Sequence, residues 1–150
     1  MTTRTVLLAL HITAVAAWLG ANFVQAVLSP RFAREAPELA AGWLRQQMWL
    51  GERYYNVAGG GIAATGVLLV LDGDWSWGAG FVWVGISVVA IGGMLGALVF
   101  APLAKRRLAA LESSDTAAAA EALQRIILFA VLDTVLMLVA VLAMVHKWQA

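Results

Sequence analysis

The sequence predicts an all-α integral membrane protein: a four-helix bundle whose helices run up, down, up and down, with both termini on the outer side. Three observations carry this expectation. Of the 150 residues, 62% are hydrophobic and 13% charged, and the mean hydropathy is +0.82, whereas soluble domains hold roughly 45–50% apolar and about 25% charged residues. Four apolar stretches approach the roughly 20 residues that a helix needs to cross a hydrocarbon core about 30 Å thick. Finally, of the ten Lys and Arg residues all but Arg4 and Lys147 fall in the first and third connections. These stretches use up most of the chain, so a single transmembrane domain is expected over 1–150.

The first helix is expected over about 6–28. Arg4 ahead of an apolar run resembles a secretory signal, but the apolar core of such a signal spans only about 7–15 residues, so this segment is read as a retained helix. Pro30 is expected to end it, because its ring removes a backbone donor and disfavours helical geometry in the residue before it. Pro37 then opens an amphipathic stretch, about 38–53, in which Leu39, Trp43, Met48 and Trp49 mix with Arg45, Gln46, Gln47 and Glu52. Such a mixture suits a helix at the cytoplasmic interface that continues into the second span, about 54–71.

The third span is expected over about 81–103 and the fourth over about 126–145. An alanine-rich run, 116–122, favours extending the fourth helix into the cytoplasm. Arg31, Arg34, Arg45 and Arg53 lie in the first connection and Lys105, Arg106, Arg107 and Arg125 in the third, while the second offers Asp72 and Asp74. The positive-inside rule therefore places the first and third connections in the cytoplasm and both ends outside. Trp75, Trp77 and Trp148 suit an outer aromatic belt, and the expected location is the inner (plasma) membrane.

Glycines concentrate in the second helix (Gly59, Gly60, Gly61, Gly66) and in the third (Gly92, Gly96). Small residues let helix backbones approach closely in lipid, where no hydrophobic drive between helices exists. They suit packing inside the bundle, or contact with a second copy or a larger membrane complex. Gly20 and Pro30 recur at the same spacing as Gly92 and Pro102, a faint hint of a duplicated helix pair. Cysteine is absent, which removes disulfides and thiolate chemistry together. No nucleic-acid partner is expected.

The polar residues of the first helix fall at His11, Trp18, Asn22, Gln25 and Ser29. At 3.6 residues per turn these form one stripe, which lipid would penalise, so it is expected to face the interior, a cofactor or a watery cleft. His11 could ligate haem iron or copper, relay a proton, or hydrogen-bond to a neighbouring helix. Asp133 stands in mid-span of the fourth helix, at the depth of Asn22 and Gln25 and away from His11. Its expected partners are Asn22, Gln25 and the Tyr54–Tyr55–Asn56 cluster, with either a functional or a helix-joining role. His146 is read as an interfacial residue.

At these residues the chain resembles a known family. Leu10-His11-Ile12, Ala17-Trp18-Leu19-Gly20, Gln46-Gln47 and Glu52-Arg53-Tyr54-Tyr55-Asn56, with Lys147 closing the fourth helix, resemble the HemJ-type protoporphyrinogen IX oxidases. The copper-resistance D-type proteins and predicted integral membrane proteins are wider relatives. The resemblance implies four helices, a bacterial inner membrane and haem b ligated by His11. The family's lysine early in helix three has no counterpart in Phe81-Val82-Trp83-Val84-Gly85, so an oxidoreductase activity is left open. The haem reading places Trp18 and the glycines of helices two and three around a flat pocket, with Arg53 or Lys147 pairing the propionates. Its rivals are a non-catalytic scaffold or accessory subunit, and a copper or small-solute carrier using His11, Met144 and His146.

Overall fold

The computed structural model, which describes residues 2–73 and 75–147, contains four helices long and apolar enough to cross a membrane. They are α1 (Thr3–Phe32), α2 (Pro37–Asp72), α3 (Gly80–Glu112) and α4 (Thr116–His146). No strand occurs among the described residues. Asp74 and Trp148, expected in the second connection and the outer belt, lie outside the described residues.

Local chemistry sets each boundary. The Thr2 side chain accepts a hydrogen bond from the Thr5 backbone N–H at 3.3 Å and caps α1, satisfying one of the donors that a helix start leaves open. Contrary to expectation, Pro30 does not end α1, which continues to Phe32. A proline so near the C-terminus removes one backbone donor, and the Ala33 N–H closes the turn around it onto Ser29 O at 3.0 Å.

Pro37 occupies the first turn of α2. The juxtamembrane stretch and the second span form one continuous helix, joined through a π-helical segment at Leu50–Tyr54. A second π segment, Gly96–Phe100, interrupts α3, which then runs past the expected 103 to Glu112 because its last turns are polar and need no lipid. At the turn into α4, Ser114 takes a left-handed φ of 60°, and Asp115 caps the helix by accepting from the Ala118 N–H at 2.9 Å. The fourth helix thus begins at Thr116, as the alanine run favours. Lys147 ends it, also left-handed.

The helices pack as a bundle around a core of Trp18, Ala58, Ile62, Val88, Met137 and Ala140. Polarity is inverted relative to a water-soluble protein. Val57, Leu98 and Val145 are more than 70% exposed, whereas His11, Ser29, Thr65, Arg107 and Asp133 are buried. Apolar surface outside and polar groups inside is the pattern of a multi-pass membrane protein. One end of the bundle is closed by aromatic contacts: Trp75 meets Phe81 edge to face, and Lys147 Nζ lies 4.7 Å from the Trp75 ring centroid.

Candidate functional site

The α1 stripe faces inward, and α2 and α4 supply its partners in two separate groups. Toward the N-terminal end of α1, His11 is 7% exposed and its Nδ1 lies 2.9 Å from Thr65 Oγ1 on α2. The Thr65 hydroxyl donates to the Gly61 carbonyl, which leaves Oγ1 able to accept from a protonated Nδ1 of His11. Gly66 makes room for the ring: a Cβ there would stand 3.4 Å from His11 Cε1.

The second group centres on Asp133, 5% exposed. Its Oδ2 accepts from Trp18 Nε1 at 2.9 Å and from Asn22 Nδ2 at 2.8 Å, and Asn22 Nδ2 also reaches Thr134 Oγ1 at 3.1 Å. Behind Asn22 the network continues along α1 and α2. The Tyr55 hydroxyl donates to Asn22 Oδ1 at 2.6 Å, Gln25 Nε2 donates to the Tyr55 oxygen at 2.7 Å, and Gln47 Nε2 donates to Gln25 Oε1 at 3.0 Å. Gln47 and Trp43 both donate to Ser29 Oγ, at 2.8 and 3.4 Å.

Every link from Gln47 through Gln25, Tyr55 and Asn22 donates in the same direction, toward the Asp133 carboxylate. Aligned donors polarise one another, so four side chains from two helices present the positive ends of their dipoles to one buried oxygen.

Two of the glycines, Gly59 and Gly92, flank Trp18. A Cβ on Gly59 would lie 2.8 Å from Trp18 Cζ3, and one on Gly92 would lie 2.9 Å from Cζ2 and 3.2 Å from Asp133 Oδ1. The indole therefore sits between the backbones of α2 and α3 with its N–H on α4. The flat group received by this slot is the protein's own. Tyr55 closes the remaining side edge to face, ring centroids 5.3 Å apart.

Several expected site residues stand elsewhere. Asn56, expected inside, is exposed and donates to the Glu52 carbonyl on its own helix at 2.8 Å, because the stripe of α2 that faces α1 runs through Tyr55, Ala58, Ile62 and Thr65. Arg53 is exposed and lies 12 residues, about 18 Å of helix, from the level of His11 on Thr65. Lys147 is engaged with Trp75. Gln25 and Tyr55 reach Asp133 only through Asn22, and Tyr54 donates instead to the Ala17 carbonyl at 3.0 Å. Trp18 is the Asp133 partner that sequence reasoning missed; its i, i+4 relation to Asn22 on the stripe was the available signal.

Among the described residues no three His, Asp or Glu side chains converge. The Met144 methyl packs where a Gly85 Cβ would stand, and His146 is exposed. Of the two histidines only His11 is buried, with its Nδ1 against the Thr65 hydroxyl, the kind of support that orients a metal-ligating imidazole. No family model, curated protein or solved structure matches this chain.

Proposed function

We propose that this chain is a plasma-membrane protein with both termini outside that serves as a non-catalytic accessory subunit or scaffold of a membrane complex. The observation that carries this reading is the Trp18 slot. Gly59 and Gly92, two of the glycines that suit a planar cofactor, flank the indole instead, and the polar groups around it satisfy one another across α1, α2 and α4. Such a network joins helices and leaves function to the outer surface.

On that surface, a groove of about 380 Å³ runs between α1 and α2, with Ala14, Ala17, Ala58 and Gly61 on its floor and Leu10 and Val57 on its rims. Small floor residues suit close approach of another transmembrane helix, from a second copy or a larger complex. A second reading, haem b on His11, is favoured by the Nδ1–Thr65 bond alone. Haem would supply electron-transfer or redox chemistry. The interior slot does not accommodate it, and Arg53 is too distant to hold its propionates.

The test is purification in mild detergent after expression with ample haem supply. The expected result is no Soret band, and migration above the monomer mass on a native gel that Val57→Trp, which fills the groove from its rim, reduces to the monomer. About one haem per chain by pyridine haemochrome assay, lost in His11→Ala, would replace the scaffold reading with the haem reading. A monomer without haem would sink both.

A further inference from the structure

A second groove, of about 350 Å³, lies on the outward face between α3 and α4. Leu98, Val99, Leu103 and Phe129 line its apolar length, and Arg106 and Arg125 stand at its polar end. The two arginines, one from each helix, are drawn together by Glu121. Arg125 meets Glu121 Oε1 at 2.8 Å, and Arg106 meets Oε2 at 3.4 Å. All three side chains remain about half exposed.

Two features define what can occupy this place. The apolar length opens on a spanning surface, where acyl chains fill a groove and water does not. The polar end lies just beyond Leu103, where the apolar run stops and headgroup phosphates are met. There, one carboxylate uses both its oxygens on two guanidiniums, so the cluster keeps a net single positive charge and the guanidiniums keep free N–H donors. Guanidinium forks match phosphate oxygens. Glu121 is engaged on both oxygens and does not attract the ammonium of a zwitterionic headgroup.

We infer that this groove binds one anionic phospholipid, its phosphodiester bridging Arg106 and Arg125 and an acyl chain lying along Leu98, Val99, Leu103 and Phe129. The inference rests on the membrane-spanning reading of α3 and α4 and is independent of the haem and scaffold readings.

Native mass spectrometry of the full chain in detergent, titrated with dioleoyl-phosphatidylglycerol or dioleoyl-phosphatidylcholine, tests it. One phosphatidylglycerol should bind about tenfold more tightly than phosphatidylcholine, because the net positive cluster attracts a net anionic lipid, whereas the choline ammonium cancels the phosphate charge of phosphatidylcholine. The Arg106→Gln/Arg125→Gln double variant should bring the ratio to within about twofold, with its melting temperature confirming that it folds. An Arg31→Gln variant, exposed and on α1, should leave the ratio unchanged. Equal binding of the two lipids in wild type, a preference that survives the double variant, or equal loss in Arg31→Gln would each overturn the site. Displacement of the lipid by millimolar inorganic phosphate would overturn the lipid identity in favour of a free-anion site.

Discussion

Trp18 stands on α1 and meets each of the other helices: α2 at Gly59, α3 at Gly92 and α4 at Asp133. Gly92→Ala is expected to destabilise by about 1–3 kcal/mol, as overpacking of a tight interior does, because the new methyl has only the fixed indole and the carboxylate to displace. A lower melting temperature in detergent checks it, and an unchanged one would mean that Trp18 is free to move aside. At Asp133, Asn keeps an acceptor for Trp18 and Asn22, whereas Leu strands the Trp18 donor at about 1–3 kcal/mol and leaves Asn22 with Thr134 alone. Asn should give monodisperse protein and Leu should not; equal yields would deprive the network of its structural role. Arg107 poses the opposite case. It is 3% exposed and its Nε finds no hydrogen-bond partner among the described residues. Met fills similar space and removes the buried, unpaired Nε–H, which costs about 1–3 kcal/mol, so Arg107→Met should raise the melting temperature. A fall would reveal an anionic partner for the guanidinium.

At the scale of the helix, length sets what lipid covers. A 36-residue α2 and a 33-residue α3 measure about 54 and 50 Å, well beyond a hydrocarbon core about 30 Å thick. Their excess carries the amphipathic 37–49 stretch and the basic turns after Leu103, where Arg45 pairs with Glu112 across the two helices at 2.8 Å. Since the chain has no cysteine, single cysteines report cleanly: at Leu39 and Ala109 they should react with a water-soluble maleimide, and at Val57 and Leu98 they should not. Labelling at Val57 would move the boundary of the span. The helices were legible from apolar run length, and the inward stripe of α1 from its periodicity. Counting residues also gave the right depth for Asp133 relative to His11, whose partners prove separate. It could not give the rotation of α4 about its own axis, which packing decides, so Trp18 was missed as the Asp133 donor. Likewise the glycines announced that something flat lay close by, without saying that it was a tryptophan.

For the whole molecule, the charge asymmetry argues orientation. Arg31, Arg34, Arg45 and Arg53 with Lys105, Arg106, Arg107 and Arg125 should hold the first and third connections in the cytoplasm, and reporter fusions at either terminus should score outside. A cytoplasmic signal from both ends would invert the protein and move the Arg106–Arg125 cluster to the other leaflet. The meeting of four helices on one indole also bears on biosynthesis. While only α1, α2 and α3 have left the ribosome, the N–H groups of Trp18 and Asn22 have no carboxylate to donate to, and the aligned donors behind Asn22 end on it. Asp133 belongs to α4, so a nascent chain cannot close this interior until α4 has followed α1, α2 and α3 into the membrane. A chain that stops short of α4 therefore leaves the Trp18 N–H unpaired on an apolar helix, a cost that the arrival of Asp133 removes.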